Sequence, residues 1–339
     1  MKRITIKDVA QKAQVSVATV SRVINNNYPV SDKTRHNVLL AINELNFQPN
    51  GIARSLKRNF TSMIGLVIPD ITNPYFMSIG KGIESVVSKR GYVIILCNTD
   101  ENLDKEINSL KILSEKRVDA IILTTSSEDN DHIKELINKG IPVVLVDRKI
   151  KGFNTDVVIN DNFGSSYLLT KHIIQKGHRD ICIVNGLLNV STGKERFEGF
   201  KAAMEEHNIP IKSEFILNGN FNSKIAYNEV KKLLKNGYRP TAIIAANNLM
   251  AEGVMLAILE EKLSIPNDIS LVAFEEIRNQ ELITPKVTYI NQNGFLMGQK
   301  AGELVLEKIN NNLNGLKRHG REIILVPDLV IRDSVKTLN

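Results

Sequence analysis

The sequence predicts an α/β protein in which a small three-helix head precedes a two-lobed body of parallel sheets. Three observations lead there. The first sixty residues hold ten Lys or Arg against three acids while the remainder cancels, so the net charge of +7 sits in the head. From Ser62 onward, apolar runs of strand length alternate with helical patterns, as in parallel sheets covered by crossover helices. The alternation restarts after Val157-Val-Ile-Asn-Asp161, which divides the body in two. A chain of 339 residues also exceeds one ordinary core.

In the head, Thr5 is placed to cap a first helix over about residues 6–13, with Val9, Ala10 and Ala13 inward. Ser16 caps a second helix over 17–24, after a turn through Gln14 and Val15. One face of that helix carries Val20, Val23 and Ile24, and the other carries Val17, Ala18, Ser21 and Arg22. The outward face suits a recognition helix. Arg can bond both acceptors of guanine, and small apolar groups pack on thymine methyls. The run from Thr5 to Asn25 therefore reads as a DNA-binding helix-turn-helix. Ser31 opens a third helix whose Val38, Ala41, Ile42 and Leu45 close the small core. Asn50, after Pro49, can cap a further helix of about eight residues, too short to persist alone in water.

In the body, strand-like runs lie at 64–68, 92–97, 118–124, 142–147, 181–184, 241–246, 270–274, 287–291 and 323–331. Helical stretches lie near 76–89, 104–116, 131–139, 163–176, 194–207, 223–236, 248–262 and 294–310. Such sheets bind ligands outside the carboxyl ends of their strands, here in a cleft between lobes. The candidates just past strand ends are Tyr75, Phe76, Asp147, Arg148, Thr192, Arg196, Phe221, Asn247, Asn248, Glu275 and Gln292. Aromatic faces stack on C–H faces, and planar polar groups bond hydroxyls in pairs, so a hydroxyl-rich small molecule suits this set.

The motifs Thr19-Val-Ser-Arg-Val-Ile-Asn25, Pro49-Asn50, Ala53-Arg-Ser-Leu-Lys57 and Ile64-Gly-Leu-Val-Ile-Pro-Asp70 resemble the LacI–GalR family of bacterial transcription repressors, and the likeness spans the chain. The resemblance implies a hinge helix that folds when paired with its twin on DNA, with Leu56 wedged into a central step of the minor groove. It implies DNA contacts from Thr5, Ser16, Val17, Ala18, Thr19, Ser21, Arg22 and Asn25, and from Asn50, Ala53, Arg54, Leu56 and Lys57. The body resembles periplasmic binding proteins, with the chain crossing between lobes three times. Tyr75, Phe76, Asp147, Arg148, Arg196, Phe221, Asn247 and Gln292 are similar to the sugar contacts of ribose-binding proteins. Ribose is therefore the first effector expected. Two guanidinia in one cleft make a sugar acid or sugar phosphate the second. Three positions depart from the family: Gln14 replaces the usual Gly of the turn, Glu275 a usual Asp, and Asn248 an Asp found in many members.

The expected organisation is a helix-turn-helix domain over 1–49, a hinge and linker over 50–61, and an effector-binding and dimerisation domain over 62–339. Lobe 1 is expected at about 62–161 and 293–324, and lobe 2 at about 162–290 and 325–339. The expected partners are double-stranded operator DNA, read as a pseudo-palindrome by a homodimer, and the small-molecule effector. No leucine heptads follow the last strand-like run, which argues against tetramers.

An enzyme is not expected. Gly80-Lys-Gly82 lacks a third glycine, and neither a Walker-type run nor a Gly-x-Ser-x-Gly elbow occurs, so no catalytic residues and no cofactor are expected. Cys97 and Cys182 sit in apolar runs without Cys-x-x-Cys or Cys/His spacing, which predicts buried thiols and no metal. No apolar stretch reaches the length of a membrane span, and Met1-Lys-Arg leads into a polar helix, so a cytoplasmic protein is expected.

Overall fold

A computed structural model describes residues 4–25, 28–47, 60–129, 131–313, 315 and 319–338. The chain divides into two units, Met1–Thr61 and Ser62–Asn339.

Among its described residues the head has three helices, α1 (Ile6–Lys12), α2 (Val17–Asn25) and α3 (Asp32–Glu44). At the start of α1, the Asp8 carboxylate accepts from both Thr5 N and Thr5 Oγ1, at 2.7 and 2.6 Å. Ser16 Oγ accepts from Thr19 N at 3.1 Å to open α2, and Ser31 Oγ accepts from Thr34 N at 3.3 Å to open α3. These bonds satisfy donors that a helix start leaves free. Gln14 takes the left-handed backbone its position requires, at φ 53°, a cost of about 1 kcal/mol for a residue with a Cβ. Val9, Val20, Val23, Val38, Ala41 and Phe47 form the core. Ile42 and Leu45 are only partly buried against it.

In the body, the first sheet has the order β11-β5-β4-β3-β1-β2. Its strands are β1 (Met63–Ile68), β2 (Val93–Asn98), β3 (Ala120–Leu123), β4 (Val143–Val146), β5 (Asp156–Asn160) and β11 (Glu322–Leu325). All its pairings are parallel. The second sheet has the order β12-β10-β9-β8-β6-β7. It comprises β6 (Ile181–Asn185), β7 (Ile216–Asn218), β8 (Ala242–Ala245), β9 (Ser270–Phe274), β10 (Thr288–Asn291) and β12 (Asp328–Val330). Only β12 runs antiparallel.

The helices are α4 (Pro74–Val87), α5 (Leu103–Glu115), α6 (Asp131–Asn138), α7 (Asn162–Gln175), α8 (Ser191–Glu206), α9 (Ser223–Lys235), α10 (Asn248–Glu260) and α11 (Gly294–Leu313). In the first lobe α4 packs on α11 so closely that a Cβ at Gly82 would lie 2.1 Å from Phe295 O, and one at Gly298 would lie 2.0 Å from Ile79 O. The chain passes between sheets at 160–162, 291–294 and 325–328. The first and third passages are joined by Asp161 N donating to Leu325 O at 2.9 Å.

Several elements differ from the sequence reading. The run 323–331 is two strands in different sheets, because Pro327 cannot donate to a ladder and the chain leaves the first sheet there. Residues 156–160, read as a boundary, are the fully buried β5. β7, three residues long, was too short to show a period. Cys97 is half-buried on the edge strand β2, whereas Cys182 is buried as expected. Among the described residues no helix is long and apolar enough to cross a membrane, and no cluster of His, Cys, Asp and Glu could hold a metal ion.

Candidate functional site

The carboxyl ends of both sheets converge on a cleft of about 490 Å³. All eleven candidates named from the sequence line it: Tyr75, Phe76, Asp147, Arg148, Thr192, Arg196, Phe221, Asn247, Asn248, Glu275 and Gln292. Local structure explains how each arrives. Past β1, Asn73 Oδ1 accepts from Tyr75 N at 3.0 Å and Pro74 starts α4, so the first turn presents Tyr75 and Phe76. Their rings meet edge to face with centroids 5.3 Å apart. Thr192 and Arg196 occupy the first two turns of α8. Asn247 caps α10 through Met250 N at 2.8 Å and leaves Asn248 at its first position. Asp147, Phe221 and Glu275 adopt left-handed backbone at φ 69°, 57° and 68°. Such strain persists only where the surroundings fix it, and here it turns three side chains into one cleft. Gly186 makes room for one of them, since a Cβ there would lie 2.1 Å from the Phe221 ring.

The polar groups form a network that passes through two of the inter-sheet passages. Tyr75 Oη donates to Asp147 Oδ1 at 2.8 Å, and Asn160 Nδ2 donates to Tyr75 Oη and Gln292 Oε1 at 3.3 and 3.4 Å. Gln292 Oε1 also accepts from Arg196 Nη2 at 2.5 Å. Arg196 Nε donates to Asn162 Oδ1 at 2.8 Å, Nη1 donates to Ala246 O at 2.6 Å, and the guanidinium lies 4.2 Å from the Phe274 ring centroid. Arg148 is only 2 % exposed, and its Nη1 and Nη2 donate to Glu101 Oε2 and Oε1 at 2.7 and 2.6 Å.

Burial dominates the electrostatics. Desolvation and the adjacent Asp147 lift the Tyr75 hydroxyl well above its ordinary value. Asp147 is itself raised by burial, in spite of Arg148 and Arg196 nearby. Burial lowers Arg196; it also acts to lower Arg148, but the carboxylates of Glu101, Asp147 and Glu106 together raise it. Glu275 is pushed up to about 7, chiefly by burial, against hydrogen bonds from backbone N–H groups of Glu276 and Gln292. Thr192 Oγ1, Asn160 Oδ1 and Arg148 Nε are buried without a hydrogen-bond partner. These are groups a ligand or water could satisfy.

Residues that the sequence reading passed over line or support the cleft. Glu101 lies just past β2, where the strand-end rule could have found it. Asn160 and Asn162 sit at the first inter-sheet passage and gave no signal beyond that position. Across the lobes, Arg278 Nη2 donates to Thr72 O at 2.6 Å and Lys149 N donates to Ser191 Oγ at 3.0 Å.

On α2 of the head, Val20 and Val23 are buried while Val17, Ala18 and Arg22 are exposed. Thr19 and Ser21 are half-buried, Thr5 and Ser16 stand exposed at helix starts, and Asn25 ends α2. The Arg22 guanidinium lies 5.6 Å from the Tyr28 ring centroid. The hinge candidates Asn50, Ala53, Arg54, Leu56 and Lys57 lie outside the described residues.

Residues 5–50 match the family described as bacterial regulatory proteins, lacI family, and residues 61–331 match periplasmic binding proteins and sugar binding domain of LacI family. The HTH-type transcriptional repressor PurR of Proteus mirabilis is 41% identical over 335 residues, covering 98% of this chain and 96% of that protein. PurR of Vibrio vulnificus is 38% identical over 99% of both chains. Among solved structures, the lac repressor dimer bound to operator and the anti-inducer ONPF is 25% identical, with a TM-score of 0.86 over 99% of this chain and all of that one. A LacI family transcriptional regulator from Enterococcus faecium with bound ribose is 32% identical, with a TM-score of 0.72 over 82% of this chain and all of that one.

Proposed function

We propose, given that this chain belongs to the LacI family of bacterial regulatory proteins, that it acts as a homodimer on a two-fold operator whose occupancy follows a compact ring ligand in the cleft. The chain is a transcriptional repressor with a DNA-binding and an effector-binding domain, and it is not an enzyme. One short reading helix specifies few base pairs, and a two-fold pair doubles the site. In this reading Thr5, Ser16 to Thr19, Ser21, Arg22 and Asn25 contact the half-site. The hinge residues Asn50, Ala53, Arg54, Leu56 and Lys57 contact its centre. The eleven cleft residues bind the effector.

One observation carries the effector reading: groups from both lobes meet in one cleft, with hydrogen bonds already spanning it. A ligand there changes operator affinity only through its different affinities for the lobe arrangements. A 150-fold ratio, as a representative figure, would supply about 3 kcal/mol.

The relatives named PurR make a purine base the first ligand to test. Phe221 offers a stacking face, Thr192 Oγ1 an unpartnered hydroxyl, and Glu275, titrating at about 7, a carboxyl that accepts or donates to ring nitrogens. Ribose is a second reading, favoured by the regulator solved with bound ribose and by Asp147, Arg148, Arg196, Asn247 and Gln292 as hydroxyl-binding groups. Calorimetry with hypoxanthine, guanine and ribose separates the two. Binding of the bases without a ribose response supports the first, the reverse supports the second, and silence from all three overturns both. Operator titration with and without the binding compound then gives the sign of control.

A further inference from the structure

Two guanidinium groups in one cleft invite an anion, yet their hydrogen-bonding edges are already engaged. The parallel N–H pair with which Arg grips a carboxylate or phosphate is, in Arg148, filled by Glu101, and Nη1 also donates to Thr125 O at 2.9 Å. What remains is Nε, buried without a hydrogen bond and 3.8 Å from Asp147 Oδ2. Arg196 has Nε and both terminal nitrogens on Asn162, Ala246 and Gln292.

Glu101 is held for this role by an unusual loop. Asp100 and Glu101, directly after the edge strand β2, both take left-handed backbone, at φ 52° and 55°. Two such residues in succession are disfavoured by local sterics and need support. Asn98 and Lys105 supply it by donating to the Asp100 carboxylate. The Glu101 side chain is left 20% exposed, against the cleft.

We propose that Glu101 is a specificity-determining residue that restricts the cleft to uncharged ligands, by occupying the Arg148 fork and cancelling its charge. The inference rests on the cleft being the effector site. Charge bookkeeping supports it: Arg148 and Arg196 are matched by Asp147 and Glu101, with Asp70, Asp100 and Glu275 as further acids in the lining. A neutral base or pentose leaves that balance intact. A phosphate or carboxylate adds buried negative charge without a free cation to meet it.

The test compares the full-length protein with Glu101→Gln, and with Glu101→Gln combined with Arg148→Met, at constant ionic strength. Inorganic phosphate and ribose 5-phosphate are the anionic probes, and ribose and hypoxanthine the neutral ones. Thermal unfolding of the wild type should not respond to inorganic phosphate beyond a chloride control. Glu101→Gln should gain a phosphate-dependent rise in Tm that the double variant loses. For whichever neutral compound binds, the anionic-to-neutral affinity ratio should rise on the order of 10-fold, as expected for freeing one charge-assisted pair. Three results would overturn the proposal: an Arg148-dependent phosphate response in the wild type, no gain in Glu101→Gln, or equal loss of neutral and anionic binding in that variant. If neither neutral compound nor guanine binds the wild type, the effector reading fails, while the phosphate arm still decides the role of Glu101. If Glu101→Gln does not fold, Glu101→Ala replaces it in the same comparison.

Discussion

Asn73 and Asn248 exchange side-chain hydrogen bonds across the cleft: Asn248 Nδ2 donates to Asn73 Oδ1 at 3.0 Å, and Asn73 Nδ2 donates to Asn248 Oδ1 at 3.2 Å. Both residues are buried, and they stand at the starts of α4 and α10. The pair therefore joins two helix N-termini from different lobes without a net charge. An Asp at 248 would lose one donor and set a carboxylate against Asn73 Oδ1. The departure from the family's Asp fits this neighbour.

Asn248→Ala should weaken effector binding by about 1–2 kcal/mol, because it removes a bridge between lobes and leaves Asn73 Nδ2 without its acceptor. Calorimetry with the compound that binds the wild type measures the change. An affinity within twofold of wild type would show that the pair does not contribute to closure.

Arg22→Ala should cost about 1–3 kcal/mol per half-site and relax preference at one base position. The exposed face of Val17, Ala18 and Arg22 is the basis. Selection from a randomised operator library reads the outcome, and an unaltered base preference at every position would refute the assignment.

Glu275 should make stability depend on pH. Its carboxyl titrates at about 7 in the folded chain against an ordinary 4.5. Between those values the unfolded chain has released a proton that the folded chain retains, so stability falls as pH rises through this window. The total loss is roughly 3 kcal/mol. Urea unfolding at intervals from about pH 5 to pH 8 should show this decline, and Glu275→Gln should flatten it.

Gly298→Ala should destabilise the first lobe by about 1–3 kcal/mol, since the added methyl meets the backbone of α4 at Ile79 rather than a movable side chain. Thermal unfolding measures it. An unchanged Tm would mean that the helices separate without cost.

The head was legible because its signals are local: the residues that begin its helices and the apolar spacing of Val20 and Val23 lie within one or two turns. The cleft was largely legible by a topological rule, since its candidates lie on the segments that follow strand ends, with Arg196 a further turn along α8. The partners of those residues were not legible. Glu101 reaches Arg148 over 47 positions, and Asn73 reaches Asn248 over 175. Nothing in a linear pattern gives a hydrogen bond at such separation. The environment of Glu275 was equally hidden, because burial at a strand end depends on the opposite lobe. The run 323–331 misled because its apolar residues continue past Pro327 while the chain changes sheets.

The three inter-sheet passages also bear on how the lobes can move and be cut. Three strands of chain side by side act as a flat strap rather than a single swivel, and the bond between Asp161 and Leu325 fastens two of them together. A strap bends readily about one axis and resists twisting about the others, so lobe motion is channelled into opening and closing. A protease nick in any one passage would leave two intact, and the lobes would stay attached under native conditions. Separating them would take three cuts, or unfolding.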